Sequence, residues 1–151
     1  LHWVADLGIA LQRIRAALRT RGTAYLQLVC EGERPSVEDV TYAVTRRDPY
    51  VAVLGDVPPA YHHRDPAEVG SLAGAAGLEL LESRVDDLAW DFGTADDVRA
   101  WLSVGFADWL RPLPEEQRAA LVAEAAADYA AIAGSPSVVR FLQLRDRFVA
   151  V

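Results

Sequence analysis

Apolar residues return at steps of three and four from the start of the chain. Val4, Leu7, Leu11, Ile14 and Leu18 fall on one helical face, while Asp6, Gln12, Arg13, Arg15 and Arg19 take the other. Basic residues gather toward the end of this segment, where they suit the helix dipole, and Gly22 is placed to stop it. The period then changes. Thr23 to Cys30, "TAYLQLVC", is short, β-branched and aromatic, and apolar on nearly every residue. It predicts a strand covered on both faces, as in a parallel sheet. Ser36 to Val44 predicts a helix, with Ser36 as N-cap and Asp39 three residues on. Arg46 to Pro59 carries three prolines and a glycine among apolar residues and predicts a long loop.

The distal half is punctuated more clearly. Asp65 caps a helix, Pro66 opens it, Glu68 completes the box, and Gly77 ends it. Val69, Leu72, Ala73 and Ala76 form its buried face. Leu78 to Phe92 predicts a strand region in which Leu88, Trp90 and Phe92 share one buried face. Thr94 caps a helix carrying Val98, Trp101, Leu102, Gly105 and Trp109 on one side, and "RPLPEEQ" breaks it. Pro114 starts another, with Glu115 and Glu116 in the first turn and Leu121, Ala125, Tyr129 and Ile132 on its face. "VVRFLQLRDRFVAV" closes the chain as a strand. The order predicts an open α/β sheet of three strands, the last two joined by a helical insertion. Three strands are few: Thr23 to Cys30 needs a neighbour on each edge, and an open edge favours self-association by strand pairing with another copy.

Composition narrows the functional classes. At 151 residues the chain fits one domain, residues 1–151, with enough apolar residues (52%) for a real core. Its net charge of -7 argues against a nucleic-acid partner. Cys30 is the only cysteine, which fits a reducing compartment, the cytoplasm. No apolar run approaches the roughly 20 residues of a membrane helix, so no membrane partner is expected.

Candidate chemistry centres on imidazoles. His62 and His63 are adjacent and in extended chain point to opposite sides. A zinc site needs three or four well-placed ligands, and with one cysteine and His2 far off in sequence no metal is expected. Asp86, Asp87, Asp91, Asp96 and Asp97 lack the spacing of an ion loop. There is no P-loop and no nucleophile elbow. Cys30 ends a buried strand and reads as core.

The ordered segments resemble the C-terminal half of a class I S-adenosylmethionine-dependent methyltransferase. The likeness is to the small-molecule and acyl-carrier branch, of the trans-aconitate or malonyl-carrier type. "LHWVADLGIALQRIRAALRTRG" is similar to that family's segment after the fourth strand, with Thr20 and Arg21 replacing the usual Pro and first Gly of its "LrPGG" turn. "YHHRDPAEVGSLAGAAGLELLESRV" resembles the fifth helix and sixth strand, and "FLQLRDRFVAV" the antiparallel seventh. "WDFGTADDVRAWLSVGFADWLRPLPEEQ" resembles the inserted helical cap, taken as residues 93–134. The implied fold is the distal half of a Rossmann-like sheet with the cap before its terminal strand.

The family's glycine-rich "GxGxG" turn is absent, and no G-x-G triplet occurs anywhere. The chain is therefore expected to be the distal, acceptor-binding half of a longer enzyme, inactive alone and not binding S-adenosylmethionine tightly. Leu1, His2 and Trp3, strange as a beginning, are ordinary as the place where a fourth strand hands over to a helix. By resemblance they border the cofactor. Tyr61, His62, His63 and Trp90 are the expected contacts of a small-molecule methyl acceptor. His2, His62 and His63 are the candidates for proton transfer, since an imidazole titrates near neutral pH. The bland alternative is that Trp3 packs under the helix and the histidines are hydrogen-bonded structural groups. At the level of function the alternative is a non-catalytic binding or dimerisation module derived from the same fold.

Overall fold

A computed structural model describes residues 1–151. In chain order the elements are α1 (Leu7–Ala17), β1 (Thr23–Val29), α2 (Val37–Thr45), α3 (Val51–Leu54), α4 (Pro66–Ala75), β2 (Leu78–Asp91), α5 (Ala95–Gly105), α6 (Ala107–Leu110), α7 (Glu115–Ala133) and β3 (Val138–Ala150). The chain forms two compact units: residues 1–32, 61–88 and 141–151 make the first, and residues 33–60 and 89–140 the second.

The first unit is a mixed α/β layer. Its sheet has the order β1-β3-β2, so the last strand in sequence lies in the middle. β1 pairs antiparallel with β3, from Thr23 opposite Val149 to Val29 opposite Gln143. The predicted α/β class and the antiparallel terminal strand are both present. Period-2 alternation turns Leu26, Leu28, Leu144 and Phe148 to one side, where Leu7 and Leu11 of α1 and Val69 and Ala73 of α4 meet them. Each such leucine contributes about 1.5–3 kcal/mol when fully buried. Asp6, not Val4, opens α1: its carboxylate accepts from the Ile9 amide at 2.8 Å. Asp146 stands opposite Leu26 on this apolar side, 3% exposed. Burial pushes its carboxyl above the usual carboxylate range, and the Ser83 hydroxyl opposes this only in part.

The turn from α1 to β1 is unusual. Arg21 adopts φ 61°, in the left-handed region, and its amide donates to Ala150 O at 2.9 Å. Gly22 follows, and a Cβ there would lie 2.8 Å from Arg19 O. Glycine is thus required at the second position of this turn, while the first carries a side chain at a steric cost.

The second unit packs α2 and α5 against α7. Ser36 and Asp39 form the capping box at α2, and Thr94 caps α5 by accepting from the Asp97 amide. Val40, Val44, Leu102, Leu121 and Ala125 are buried. Tyr129 on α7 is 1% exposed, and its hydroxyl donates to Arg140 O at 3.0 Å and accepts from Arg140 N at 3.2 Å. Both main-chain groups of Arg140 are thereby satisfied by one side chain. Tyr50 Oη donates to Glu124 Oε1 at 2.6 Å, and burial, followed by Glu124, pushes the phenol up to about 12.

Three expectations are corrected. β1 is covered on one face only: Thr23, Tyr25 and Gln27 are exposed, Tyr25 by 76%. Both helices of this unit's core lie on the other side, and an antiparallel pair tolerates one open face. Second, Trp90 is 54% exposed, so the Leu88–Trp90–Phe92 face is not buried. Third, the loop expected over residues 46–59 contains α3, because Tyr50 and Leu54 turn inward at 2% and 0% exposure. Arg46 binds this segment by donating to Gly55 O and Val57 O while stacking 4.2 Å over the Tyr42 ring.

Candidate functional site

Three stretches meet at the carboxyl end of β1 in the first unit: residues 1–5, the end of the strand, and residues 61–64. Hydrogen bonding dictates the meeting. The His62 amide donates to His2 O at 2.6 Å, and the Glu31 amide donates to Arg64 O at 3.1 Å. Arg64 donates in turn to Ala5 O at 3.2 Å while pairing with Glu68 at 2.6 Å. The Val4 amide closes a turn onto Leu1 O at 2.9 Å. Arg64 is thus the main-chain organiser of this corner, and sequence reasoning did not single it out; its position directly before the capping Asp65 was the available signal.

The rings follow from this frame. His2 lies 5.6 Å from Trp3 and 5.8 Å from His63, centroid to centroid. Tyr61 lies 4.7 Å from His63 and is 9% exposed. Trp3 remains 46% exposed. His62 joins the corner through its amide, which donates to His2 O. Of the sequence candidates, Leu1, His2, Trp3, Tyr61, His62 and His63 therefore share one corner. Trp90 belongs to the second unit, where its ring lies 6.5 Å from Phe92.

His2 is the most perturbed group here. Burial is the main cause that lowers its pKa, to about 4, and the nearby His63 acts in the same direction. The ring is neutral at pH 7, and its Nδ1 accepts from the Val29 amide at 3.3 Å. Cys30 next to it is buried, its thiol donates to Leu142 O at 3.5 Å, and burial pushes its pKa up. It is an inert core group rather than a nucleophile. No group of three or more His, Cys, Asp or Glu side chains is arranged to hold a metal ion.

No family model and no curated protein matches the chain. Among solved structures it is similar to the YcgJ protein of Bacillus subtilis, at 14% identity and a TM-score of 0.59. That match covers 99% of this chain and 59% of YcgJ, so the chain spans well under two thirds of that protein's length. It also aligns with phosphoethanolamine N-methyltransferase 2 of Haemonchus contortus, solved with phosphomonomethylethanolamine and S-adenosylhomocysteine. There the identity is 12% and the TM-score 0.45, over 99% of this chain and 31% of that one. The likeness to YcgJ establishes a shared fold. No helix is long and apolar enough to cross a membrane.

The one glycine just past β1 is Gly32, and a Cβ there would collide with Leu142 Cδ1. Its bareness serves packing within the chain.

Proposed function

We propose that this chain is the acceptor-side portion of an S-adenosylmethionine-dependent methyltransferase acting on a small molecule, with a carboxylate as the favoured acceptor. The observation that carries the reading is the convergence of Leu1–Trp3 with Tyr61–His63 at the carboxyl end of β1. Open α/β sheets bind ligands outside those ends. The fold shared with YcgJ and the order of the sequence segments support the same assignment. In this reading Trp3 and Tyr61 provide apolar walls, His2 and His63 the polar contacts, and the cofactor's cradle is provided by residues outside the chain. Such a protein contributes mainly alignment and exclusion of water.

The test is methyl transfer from radiolabelled S-adenosylmethionine to a panel of carboxylic acids. The chain is assayed alone and joined to the residues encoded immediately upstream. The proposal expects label in ester product only with the longer chain. No product from the longer chain across carboxylate, amine and hydroxyl acceptors would contradict it.

A second reading, a binding or dimerisation module, draws on β1. Its only strand neighbour is β3, and Tyr25 stands exposed on the open face of the sheet. A strand with one unpaired edge accepts a second strand. A clean dimer mass for this chain by size exclusion with light scattering favours the module; a monomer removes it.

A further inference from the structure

The sheet face turned away from α1 and α4 gathers three arginines around one depression. Tyr25 stands directly opposite Arg147, and Gln27 directly opposite Arg145, so β1 and β3 send these side chains to the same open side. Arg84 and Glu82 of β2 close the far side. The depression has a volume of about 290 Å³. Its floor is the main chain of the cross-strand pair Leu26 and Asp146, whose side chains turn to the core. The whole chain carries a net charge of -7, so three clustered guanidinium groups run against its trend.

Acids sit among the arginines without cancelling them. Asp86 Oδ2 lies 3.1 Å from Arg84 Nη2 and 3.2 Å from Arg145 Nε, so one carboxylate serves two guanidinium groups. Glu82 Oε2 lies 3.4 Å from Arg147 Nε, which makes no hydrogen bond. Three positive groups thus face two negative ones. Gln143 Oε1 accepts from Arg145 Nε and Nη2 at 3.1 and 3.0 Å, which fixes the plane of that guanidinium. Each arginine has five N–H donors, and these contacts engage at most two on any one of them.

We infer that this depression binds a small planar anion, an aromatic ring bearing a carboxylate or phosphate group. Arg145 and Arg147 take the oxyanion and Tyr25 lies against the ring. The volume stands at the small end of ligand pockets, which begin at about 300 Å³, and suits one ring with one anionic group. Guanidinium forks match carboxylate and phosphate alike, with two parallel N–H donors. Tyr25 is 76% exposed, so its ring is free to stack. The acids do not block the site. Ion pairs between side chains this exposed contribute little, and Glu82 yields to a better-placed oxyanion. The site shares no residue with the corner formed by residues 1–5 and 61–64, and it does not rest on the methyltransferase reading.

The test is proton–nitrogen correlation NMR on the whole chain at low salt, where exposed charges are least screened. The probes are benzoate and phenyl phosphate. Benzamide lacks the charge, and acetate and inorganic phosphate lack the ring. At least one aryl anion should shift the amides of residues 25–27 and 145–147 saturably, and the tighter of the two assigns the anionic group. Benzamide should shift none of them, and the ringless anions should bind about tenfold more weakly. Arg145→Gln and Arg147→Gln should each lose about tenfold in affinity, with thermal midpoints near wild type. Tyr25→Ala should lose the preference for a ring, and Tyr25→Phe should keep it. Arg99→Gln removes the same charge from the second unit and should bind as wild type. If a glutamine variant fails to fold, Glu82→Gln gives a second readout, since losing the competing carboxylate should tighten binding. No saturable shift with either aryl anion, equal shifts with benzamide, or a ringless anion as tight as its aryl partner overturns the inference. Full affinity in Arg147→Gln, or no gain in Glu82→Gln, does the same.

Discussion

Two residues carry strain or perturbation that their neighbours explain. The His2 imidazole titrates near 4 against an ordinary 6.5, so folding favours its neutral form. The stability this represents is intact above pH 6.5 and is lost as pH falls through about 4. Glu38 and Asp146, both raised by burial, act in the opposite sense, since protonation relieves them in the folded chain. Comparison with His2→Asn isolates the first effect. In urea titrations from pH 7 to 4, wild type should lose stability relative to that variant; parallel curves would contradict the assignment. Arg21 is the second case. A side chain at φ 61° costs roughly 1–2 kcal/mol, part of which glycine returns as unfolded-state entropy. Arg21→Gly should therefore raise the unfolding free energy by about 0.5–1 kcal/mol, measured by denaturant titration. It also places a glycine where the resembled family has one.

At the scale of elements, one hydroxyl joins α7 to the start of β3. Tyr129 Oη serves both the N–H and the C=O of Arg140 from a site 1% exposed. Tyr129→Phe should cost about 2 kcal/mol by leaving both groups without this partner. An unchanged thermal midpoint would show that water replaces it. The elements themselves were largely legible in sequence, because their ends are marked by local chemistry. Ser36–Asp39, Asp65–Pro66 and Thr94 each act where they were expected. Tertiary context was less legible. Thr23 to Val29 is apolar enough to read as doubly covered, yet its exposed face depends on what packs there, not on the strand's own residues. Trp90 misled for the same reason, since alternation sets which side a ring takes and not whether anything meets it. The short helix α3 was hidden because prolines and a glycine dominate its surroundings. At the candidate site, the histidines and Tyr61 were visible by residue type. The roles of Arg64 and the Val29 amide were not, because both act through main-chain hydrogen bonds between distant segments.

At the scale of the whole molecule, the fold is shared with YcgJ over 59% of that protein, and Leu1–Trp3 and Tyr61–His63 meet at the carboxyl end of β1. The proposal built on them is that this chain supplies the acceptor's surroundings and that S-adenosylmethionine is held by residues outside it. Isothermal titration with S-adenosylhomocysteine, on the chain alone and on the chain extended by its upstream coding sequence, tests that claim most directly. The account predicts no saturable heat from the chain alone and clear one-to-one binding by the extended chain. Low-micromolar binding by the chain alone, or none by the extended chain, would contradict it.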